Sequence, residues 1–253
     1  MNPLRAVVLD TDGVLLDSAA LHALAWKSAF DGCLDAWAAA GTGRPAQPPF
    51  DAEREYRALV DGKPRLDGAL AVLTARGIEL PRGNATDPPG CGTAWAVAAR
   101  KEHAFTAALE DGAVEVFDEV RPALEALRAQ GMLCAAVSAS RHARPLLESA
   151  AIAPLVDVLV DGADADRMNL AGKPDPALFL EATRRMRVDP VDAAVVEDSL
   201  AGVEAGRRGR FGLVIGLDRT GVTSAAANLR SRGAHVVLPD LTAVVDTVAG
   251  AQP

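Results

Sequence analysis

The sequence predicts an α/β fold in which a doubly wound parallel (Rossmann-like) sheet forms the core and an α-helical cap domain is inserted. A short apolar run at residues 6–9 ends in two acids, and strand-like and helix-like segments alternate from about residue 113 onwards. Between these regions the patterns are helical, and the segment is too long for an ordinary strand-to-helix connection. We therefore assign residues 1–17 and 110–253 to the core and residues 18–109 to the cap domain.

The individual elements follow from periodicity and from Pro and Gly positions. The run at 6–9 is short and partly β-branched, which favours a buried parallel strand. Pro122 at a first helical position and Gly131 frame one core helix. Further helices are expected at 19–40, 51–60, 66–76, 93–109, 141–150, 175–186, 199–208 and 222–232, with breaks at 41–49 and 81–92. The remaining strands are expected at 133–137, 156–160, 193–196, 213–215 and 235–238.

The composition indicates which partners the chain binds and in which cellular compartment we expect it. The formal charge of −8 argues against nucleic acid, because phosphate backbones are bound by clustered Lys and Arg. Cys33, Cys91 and Cys134 match neither a disulfide framework nor a zinc pattern, so we expect reduced thiols. No segment is apolar for long enough to be a signal peptide or a membrane helix. We therefore expect a cytoplasmic monomer that binds neither nucleic acid nor membranes.

Polar residues follow several of the predicted strands. Because the carboxyl ends of parallel strands meet at one edge of a sheet, these side chains should converge there. Gly13 allows the chain to turn after the first strand, although a lone Asp-x-Asp-Gly is as compatible with an acidic surface turn. The residues concerned are Asp10, Asp12, Ser138, Asp161, Glu197 and Asp198, together with Lys173 in a Gly-Lys-Pro-Asp-Pro segment before a helix.

The chemistry of this set favours phosphoryl transfer. Carboxylates with a hydroxyl and a lysine, but without a histidine pair or a cysteine ligand, favour Mg²⁺ over zinc. Lys173 and Ser138 would hold phosphate oxygens while a carboxylate attacks. The chain has no Walker loop and no dinucleotide-binding fingerprint, so a nucleotide cofactor is not required.

The motifs resemble those of the haloacid dehalogenase superfamily. They are Asp10-Thr11-Asp12-Gly13-Val14, Ser138, Lys173 and Glu197-Asp198-Ser199, in the expected order. The resemblance implies that Asp10 is a nucleophile that forms an aspartyl phosphate and that Asp12 is the general acid/base. It also implies that Asp10, the Asp12 carbonyl and Asp198 hold Mg²⁺ with support from Glu197, and that Ser138, Ala139 and Lys173 bind phosphate.

Three cap segments carry a narrower resemblance: Leu21-His22-Ala23-Leu24-Ala25-Trp26-Lys27, Asp61-Gly62-Lys63-Pro64-Arg65 and Arg100-Lys101. They resemble the hinge helix, the cap substrate loop and the end of the cap in the β-phosphoglucomutase branch of the superfamily. This likeness implies substrate or cap roles for His22, Trp26, Arg65, Lys101 and Ser140. His22 would couple cap closure to Asp12, Arg65 would hold the distal phosphate, and Lys101 would contact the sugar phosphate. The alternatives are an ordinary helix histidine at His22, a packing role for Trp26, and solvated surface charges at Arg65 and Lys101.

The sequence departs from that branch at three places. Thr11 is polar where relatives carry an apolar residue, which we expect to alter packing but not chemistry. His142 replaces a common asparagine, which puts contacts to phosphate or sugar there in doubt. The cap also has additional Pro- and Gly-rich material at 41–49 and 81–92.

The resemblance implies a magnesium-dependent mutase whose partner is a small phosphorylated sugar. It would interconvert β-glucose 1-phosphate and glucose 6-phosphate through a 1,6-bisphosphate. One alternative is a sugar-phosphate phosphatase with the same nucleophile. Another, from a different class, is a non-catalytic protein that binds phosphorylated metabolites.

Overall fold

The computed structural model describes residues 3–40, 47–111 and 114–250. The chain divides into two compact units, Met1–Asp17 with Val114–Pro253 and Ser18–Ala113, which we call the α/β unit and the helical unit. The second boundary falls after residue 113 rather than 109, because the last helix of the helical unit extends to Asp111. Residues 41–46 of the predicted break at 41–49 lie outside the described residues.

Strands and helices alternate as expected in the α/β unit, and the helical unit contributes the three α-helices that follow the first strand. In chain order they are β1 (Ala6–Asp10), α1 (Ala19–Ala39), α2 (Arg65–Ala75), α3 (Ala94–Asp111), α4 (Val120–Ala129), β2 (Leu133–Val137), α5 (Ala143–Ser149), β3 (Val158–Val160), α6 (Gly162–Met168), α7 (Ala177–Met186), β4 (Ala193–Glu197), α8 (Leu200–Arg208), β5 (Leu213–Leu217), α9 (Thr223–Arg232), β6 (Val236–Leu238) and α10 (Leu241–Gly250).

The described strands form one parallel sheet in the order β3-β2-β1-β4-β5-β6. The register pairs Asp10 with Val137 of β2 and Leu9 with Val196 of β4. The carboxyl ends of these three neighbouring strands therefore lie side by side. The predicted fold class, a parallel α/β core with an inserted helical cap domain, is confirmed.

Helices cover both faces of the sheet, which explains why every residue of β1 is buried. Alternate residues face opposite layers: Val7 and Leu9 pack with α4, α5 and α10, whereas Ala6 and Val8 pack with α7, α8 and α9. Each fully buried Val or Leu contributes roughly 1.5–3 kcal/mol to folding. Burial on both sides thus holds the strand that ends at Asp10.

Four core segments differ from the sequence prediction. Helix α4 begins at Val120, so Pro122 lies third in the helix rather than first. Helix α6 was not predicted, since a helix of this length is too short to show a clear period, and α10 was not assigned either. Strand β3 begins at Val158 rather than at residue 156.

The helical unit has its own apolar core, formed by α1, α2 and α3 with a π-type turn at Tyr56–Val60 in place of the predicted helix at 51–60. A disulfide joins Cys33 of α1 to Cys91, with their Cα atoms 5.3 Å apart. The prediction of reduced thiols is therefore wrong for this pair, because sequence spacing alone does not reveal which cysteines meet. Cys134 is free, and burial raises its pKa to about 12.

Among the described residues, no helix is both long enough and apolar enough to cross a bilayer.

Candidate active site

Lys173 lies at the centre of a charged cluster at the carboxyl edge of the sheet. Its ammonium group is buried and donates hydrogen bonds to Asp10 Oδ1 and Glu197 Oε1. The ring of Phe179 lies 5.1 Å from Nζ. Burial alone would lower the pKa of Lys173, but the two carboxylates overcome that effect and raise it above its ordinary value. Lys173 therefore stays charged.

Asp10, Glu197 and Asp198 present ligand oxygens that all lie within 4.8 Å of one another. Burial raises the pKa of Asp10 well above its usual range, Lys173 opposes that rise, and the neighbouring carboxylates add to it. Three carboxylates facing one ammonium leave excess negative charge when they are ionised. Oxygen donors with excess negative charge fit a hard divalent cation such as Mg²⁺.

Glu197 is oriented by the first turn of α8. The backbone N–H and the hydroxyl of Ser199 donate to its Oε2 at 2.8 and 2.9 Å. The same hydroxyl accepts from the Gly202 N–H at 3.0 Å and so caps the helix. A Cβ at Gly202 would lie 1.8 Å from Glu197 Oε1, so glycine makes room for the carboxylate. Sequence reasoning gave neither residue a role, although a serine before a helix is a capping signal.

Asp12 receives hydrogen bonds from two hydroxyls. Ser138 Oγ, at the end of β2, donates to Asp12 Oδ2 at 3.2 Å. Thr11 Oγ1 donates to the same oxygen at 3.3 Å. The expectation that Thr11 affects only packing is therefore incomplete, because its hydroxyl contacts one of the two acids.

The loop after β2 forms a turn around its own serines. The Ser140 N–H donates to Ser138 Oγ at 3.1 Å, and Ser140 Oγ accepts from the His142 N–H at 3.2 Å. Ala139 is partly exposed between the two serines, and a Cβ at Gly162 would lie 2.7 Å from its carbonyl oxygen. Ser138, Ala139 and Ser140 thus lie together in one short loop beside Asp12.

Asp161 follows β3 but does not join the cluster of candidate metal ligands. Its Oδ1 accepts the N–H groups of Ala163 and Asp164, both at 3.0 Å, and caps α6. Its carboxylate stabilises a helix start, where negative charge is favoured. The expectation that every strand-end acid reaches one site is wrong for Asp161.

The helical unit brings together His22 and Lys101. Lys101 is buried, its Nζ lies 2.9 Å from His22 Nδ1, and the His22 ring stacks on Phe105 with 4.0 Å between ring centroids. The alternative of a solvated surface charge is therefore wrong for Lys101.

Arg65 lies elsewhere in the helical unit and is partly buried. Its Nη1 pairs with Glu102 at 3.1 Å, and its guanidinium carbon lies 5.8 Å from the Trp95 ring centroid. Trp26 packs inside the helical core, stacks on Phe30 and is 4% exposed. This environment favours a packing role for Trp26 over a contact with substrate.

Comparison with known proteins shows the family to which the chain belongs. A profile of haloacid dehalogenase-like hydrolases matches residues 4–210. The chain is 43% identical over 237 residues to a beta-phosphoglucomutase of Mycobacterium bovis, covering 94% of this chain and 90% of that protein. It is 32% identical to an uncharacterized glycosyl hydrolase of Mycobacterium tuberculosis over 94% of this chain, but spans only 17% of that protein.

A solved structure extends the comparison to the fold. A HAD family hydrolase from Deinococcus radiodurans, with bound phosphate and sodium, superimposes with a TM-score of 0.66 and 28% identity. The match covers 99% of this chain and 97% of that one. The chain therefore belongs to the haloacid dehalogenase-like hydrolases, in their β-phosphoglucomutase-like branch, and is a phosphoglucomutase-like isomerase or a phosphatase.

Proposed function

We propose that this chain is a magnesium-dependent mutase that interconverts β-glucose 1-phosphate and glucose 6-phosphate. The observation that carries the choice of a mutase is the 43% identity, over most of both chains, to a protein named beta-phosphoglucomutase. The similarity to a segment of a glycosyl hydrolase supports a sugar as the substrate class.

In the proposed reaction Asp10 is the nucleophile. One of its oxygens attacks the phosphorus atom at C1 of the 1,6-bisphosphate, the bond from that phosphorus to the C1 oxygen breaks, and Asp12 gives a proton to the C1 oxygen, which releases glucose 6-phosphate. The 6-hydroxyl of β-glucose 1-phosphate then attacks the aspartyl phosphate while Asp12 takes up its proton, which regenerates Asp10 and the 1,6-bisphosphate. The buried Lys173 supports this assignment, because it neutralises charge beside Asp10.

Residues of the α/β unit would also bind the metal and the phosphate. Asp10, the Asp12 carbonyl and Asp198 would hold Mg²⁺ with support from Glu197. When bound, Mg²⁺ supplies positive charge that reduces repulsion between the attacking carboxylate and the phosphate oxygens. Ser138, Ala139 and Lys173 would bind the oxygens of the transferring group.

The helical unit would select the substrate. Arg65 would hold the distal phosphate, which a bisphosphate intermediate needs while it turns round without hydrolysis. Lys101 would contact the sugar phosphate, with His22 as its hydrogen-bond partner. Ser140, in the loop after β2, would contribute a hydroxyl to the substrate site.

A sugar-phosphate phosphatase is the second candidate, favoured by the hydrolase family and by the phosphate in the Deinococcus structure. The two candidates share the first half-reaction and differ in whether a sugar hydroxyl or water attacks next. Incubation with Mg²⁺, β-glucose 1-phosphate and a trace of glucose 1,6-bisphosphate separates them when glucose 6-phosphate and free phosphate are measured together. Product without phosphate release supports the mutase, whereas phosphate release alone excludes it.

The covalent step is tested by Asp10→Asn, which should abolish both activities because an amide is a poor nucleophile. Asp161→Asn is the matched control, since Asp161 also follows a strand but caps a helix, a role that asparagine performs equally well. Retained turnover in Asp10→Asn, or equal loss in both variants, would refute the nucleophile assignment.

The distal-phosphate role is tested by Arg65→Ala, which should reduce mutase turnover more than hydrolysis of a small phosphate ester. Arg54→Ala is the control, because Arg54 is an exposed arginine of the same unit that also pairs with a carboxylate, that of Asp51. Equal losses on the two substrates would argue against a role for Arg65 in binding a second phosphate.

A further inference from the structure

Arg219 connects the loop after β5 to the turn that follows β1. Its Nε donates to the Gly13 carbonyl at 3.1 Å, and its Nη2 donates to the Val14 carbonyl at 3.0 Å. Nη1 pairs with Glu119, and the guanidinium carbon lies 3.6 Å from the centroid of the Phe117 ring. One side chain therefore contacts two successive carbonyls, a carboxylate and an aromatic face.

The turn that Arg219 contacts carries groups of the proposed site. It is closed by hydrogen bonds from the Gly13 N–H to the Leu16 carbonyl at 2.8 Å and from the Leu15 and Leu16 N–H groups to the Thr11 carbonyl. Asp12 lies inside this turn. Gly13 lies so close to Asp198 that a Cβ would be 1.9 Å from its Oδ2. A shift of the turn would therefore move Asp12 and change the space available to Asp198.

Arginine suits this position for a geometric reason. Its rigid fork of N–H donors can reach two neighbouring carbonyls at once, whereas a lysine ammonium is a single point on a flexible stem. Glu119 and Phe117 hold the guanidinium from its other sides, so the fork is oriented before it meets the turn. The contacts thus lock the turn rather than merely neutralise a surface charge.

We propose that Arg219 is a positioning residue that holds the turn from Asp12 to Leu16 in the geometry needed for phosphoryl transfer. The catalytic part of this proposal rests on the proposed function, because it assigns Asp12 to proton transfer. The structural part, that Arg219 orders the turn, does not.

Arg219→Ala should reduce kcat about 10- to 100-fold while the inhibition constant of inorganic phosphate stays close to that of the wild type, because small displacements of a positioned group mainly affect the chemical step. Millimolar guanidinium should restore part of the turnover, and Arg219→Lys should be slower than the wild type despite its charge. Hydrogen exchange at residues 11–16 should be faster in Arg219→Ala.

Arg128→Ala is the matched control. Arg128 also pairs with a carboxylate, Asp157 at 2.7 Å, and donates to a backbone carbonyl of the same unit, but it does not contact the turn. It should leave kcat and exchange at residues 11–16 unchanged.

The proposal is overturned if exchange in the turn is unchanged in Arg219→Ala, or if both variants lose the same turnover. If Arg219→Ala does not fold, Arg219→Lys decides: kcat and turn exchange equal to the wild type would overturn the proposal. Wild-type protein without mutase activity would contradict the proposed function alone, because the exchange experiment would still test whether Arg219 orders the turn.

Discussion

Gly13→Ala tests whether the space beside Asp198 matters for catalysis. Gly13 has a φ of +82°, and an added Cβ would lie 1.9 Å from Asp198 Oδ2 and 2.7 Å from its Cγ. These atoms belong to the tip of a side chain, so the clash can be relieved by rotation of Asp198. That rotation would take its carboxylate out of the cluster with Asp10 and Glu197.

The loss of folding free energy in Gly13→Ala has two separable parts, the backbone strain of an alanine at positive φ and the clash with Asp198. An alanine at positive φ costs about 1–2 kcal/mol of folding free energy from its backbone conformation alone. Gly131→Ala measures that part, because Gly131 has a φ of +76° and an added Cβ would meet nothing within 4 Å. If the clash is relieved at the Asp198 side chain rather than by the backbone, the two variants should be destabilised by similar amounts.

Turnover should differ clearly between Gly13→Ala and Gly131→Ala. Displacing a candidate metal ligand by about 1 Å can reduce turnover on the order of 100-fold, so Gly13→Ala should lose activity and need more Mg²⁺. Gly131→Ala should keep its turnover. Urea unfolding gives the stabilities, and initial rates across a Mg²⁺ titration give the turnover and the metal requirement.

Two outcomes would refute the reasoning. Gly13→Ala with the turnover and Mg²⁺ requirement of Gly131→Ala would show that the position of Asp198 is not critical. A loss of stability several kcal/mol larger in Gly13→Ala than in Gly131→Ala would show that the backbone moves rather than the side chain.

Three further predictions concern stability. Lys173→Met should leave two buried carboxylates without their cation and lower the unfolding free energy by about 3–5 kcal/mol, measured by urea titration; an unchanged midpoint would contradict the buried pairing. Cys33→Ser should lower the melting temperature of unreduced protein, and alkylation of denatured, unreduced wild-type protein should label Cys134 alone; three labelled thiols would exclude the disulfide. Arg184 and Arg185 hold the pKa of Glu181 at about 2, below its ordinary value of 4.5. The ionised carboxylate therefore stabilises the fold fully above pH 4.5, and this stabilisation is lost as the pH falls from 4.5 towards 2. The difference in unfolding free energy between the wild type and Glu181→Gln, measured by urea titration, should shrink over that range; a constant difference would contradict this.

The convergence of Asp10, Ser138, Glu197 and Asp198 could be predicted from sequence because one geometric rule covers them. Each follows or ends a strand, and parallel strands place their carboxyl ends at a common edge. The rule requires that strands be recognised, but it does not supply their order in the sheet. It therefore accounts for the members of the candidate site at strand ends, but not for Lys173, which precedes a helix, and not for the individual contacts.

Asp161 shows the limit of that rule. Strand β3 is separated from β1 by β2, and α6 begins immediately after Asp161. Its carboxylate accepts hydrogen bonds from backbone N–H groups at the start of α6 and therefore does not join the cluster. Neither the strand order nor the short helix has a clear sequence signal, so an acid that caps a helix looks the same as an acid that serves a site.

The contacts of Arg219 and the disulfide between Cys33 and Cys91 were missed for a related reason. Each joins segments far apart in the chain through loops whose paths depend on tertiary packing. Periodicity describes local structure, and motif matching describes residues with known chemistry. A loop arginine among many others, or one of three cysteines, carries no signal of either kind.

Gly13 and Gly202 explain why the acids can be placed where they are. The Asp198 carboxylate lies where a side chain at Gly13 would be, and the Glu197 carboxylate lies where one at Gly202 would be. The ligand oxygens of Asp10, Glu197 and Asp198 lie within 4.8 Å of one another, and the backbone at the two glycines comes close to two of these three carboxylates. The motifs therefore depend on residues that contribute no functional group, and a search for reactive side chains finds the acids without finding what makes room for them.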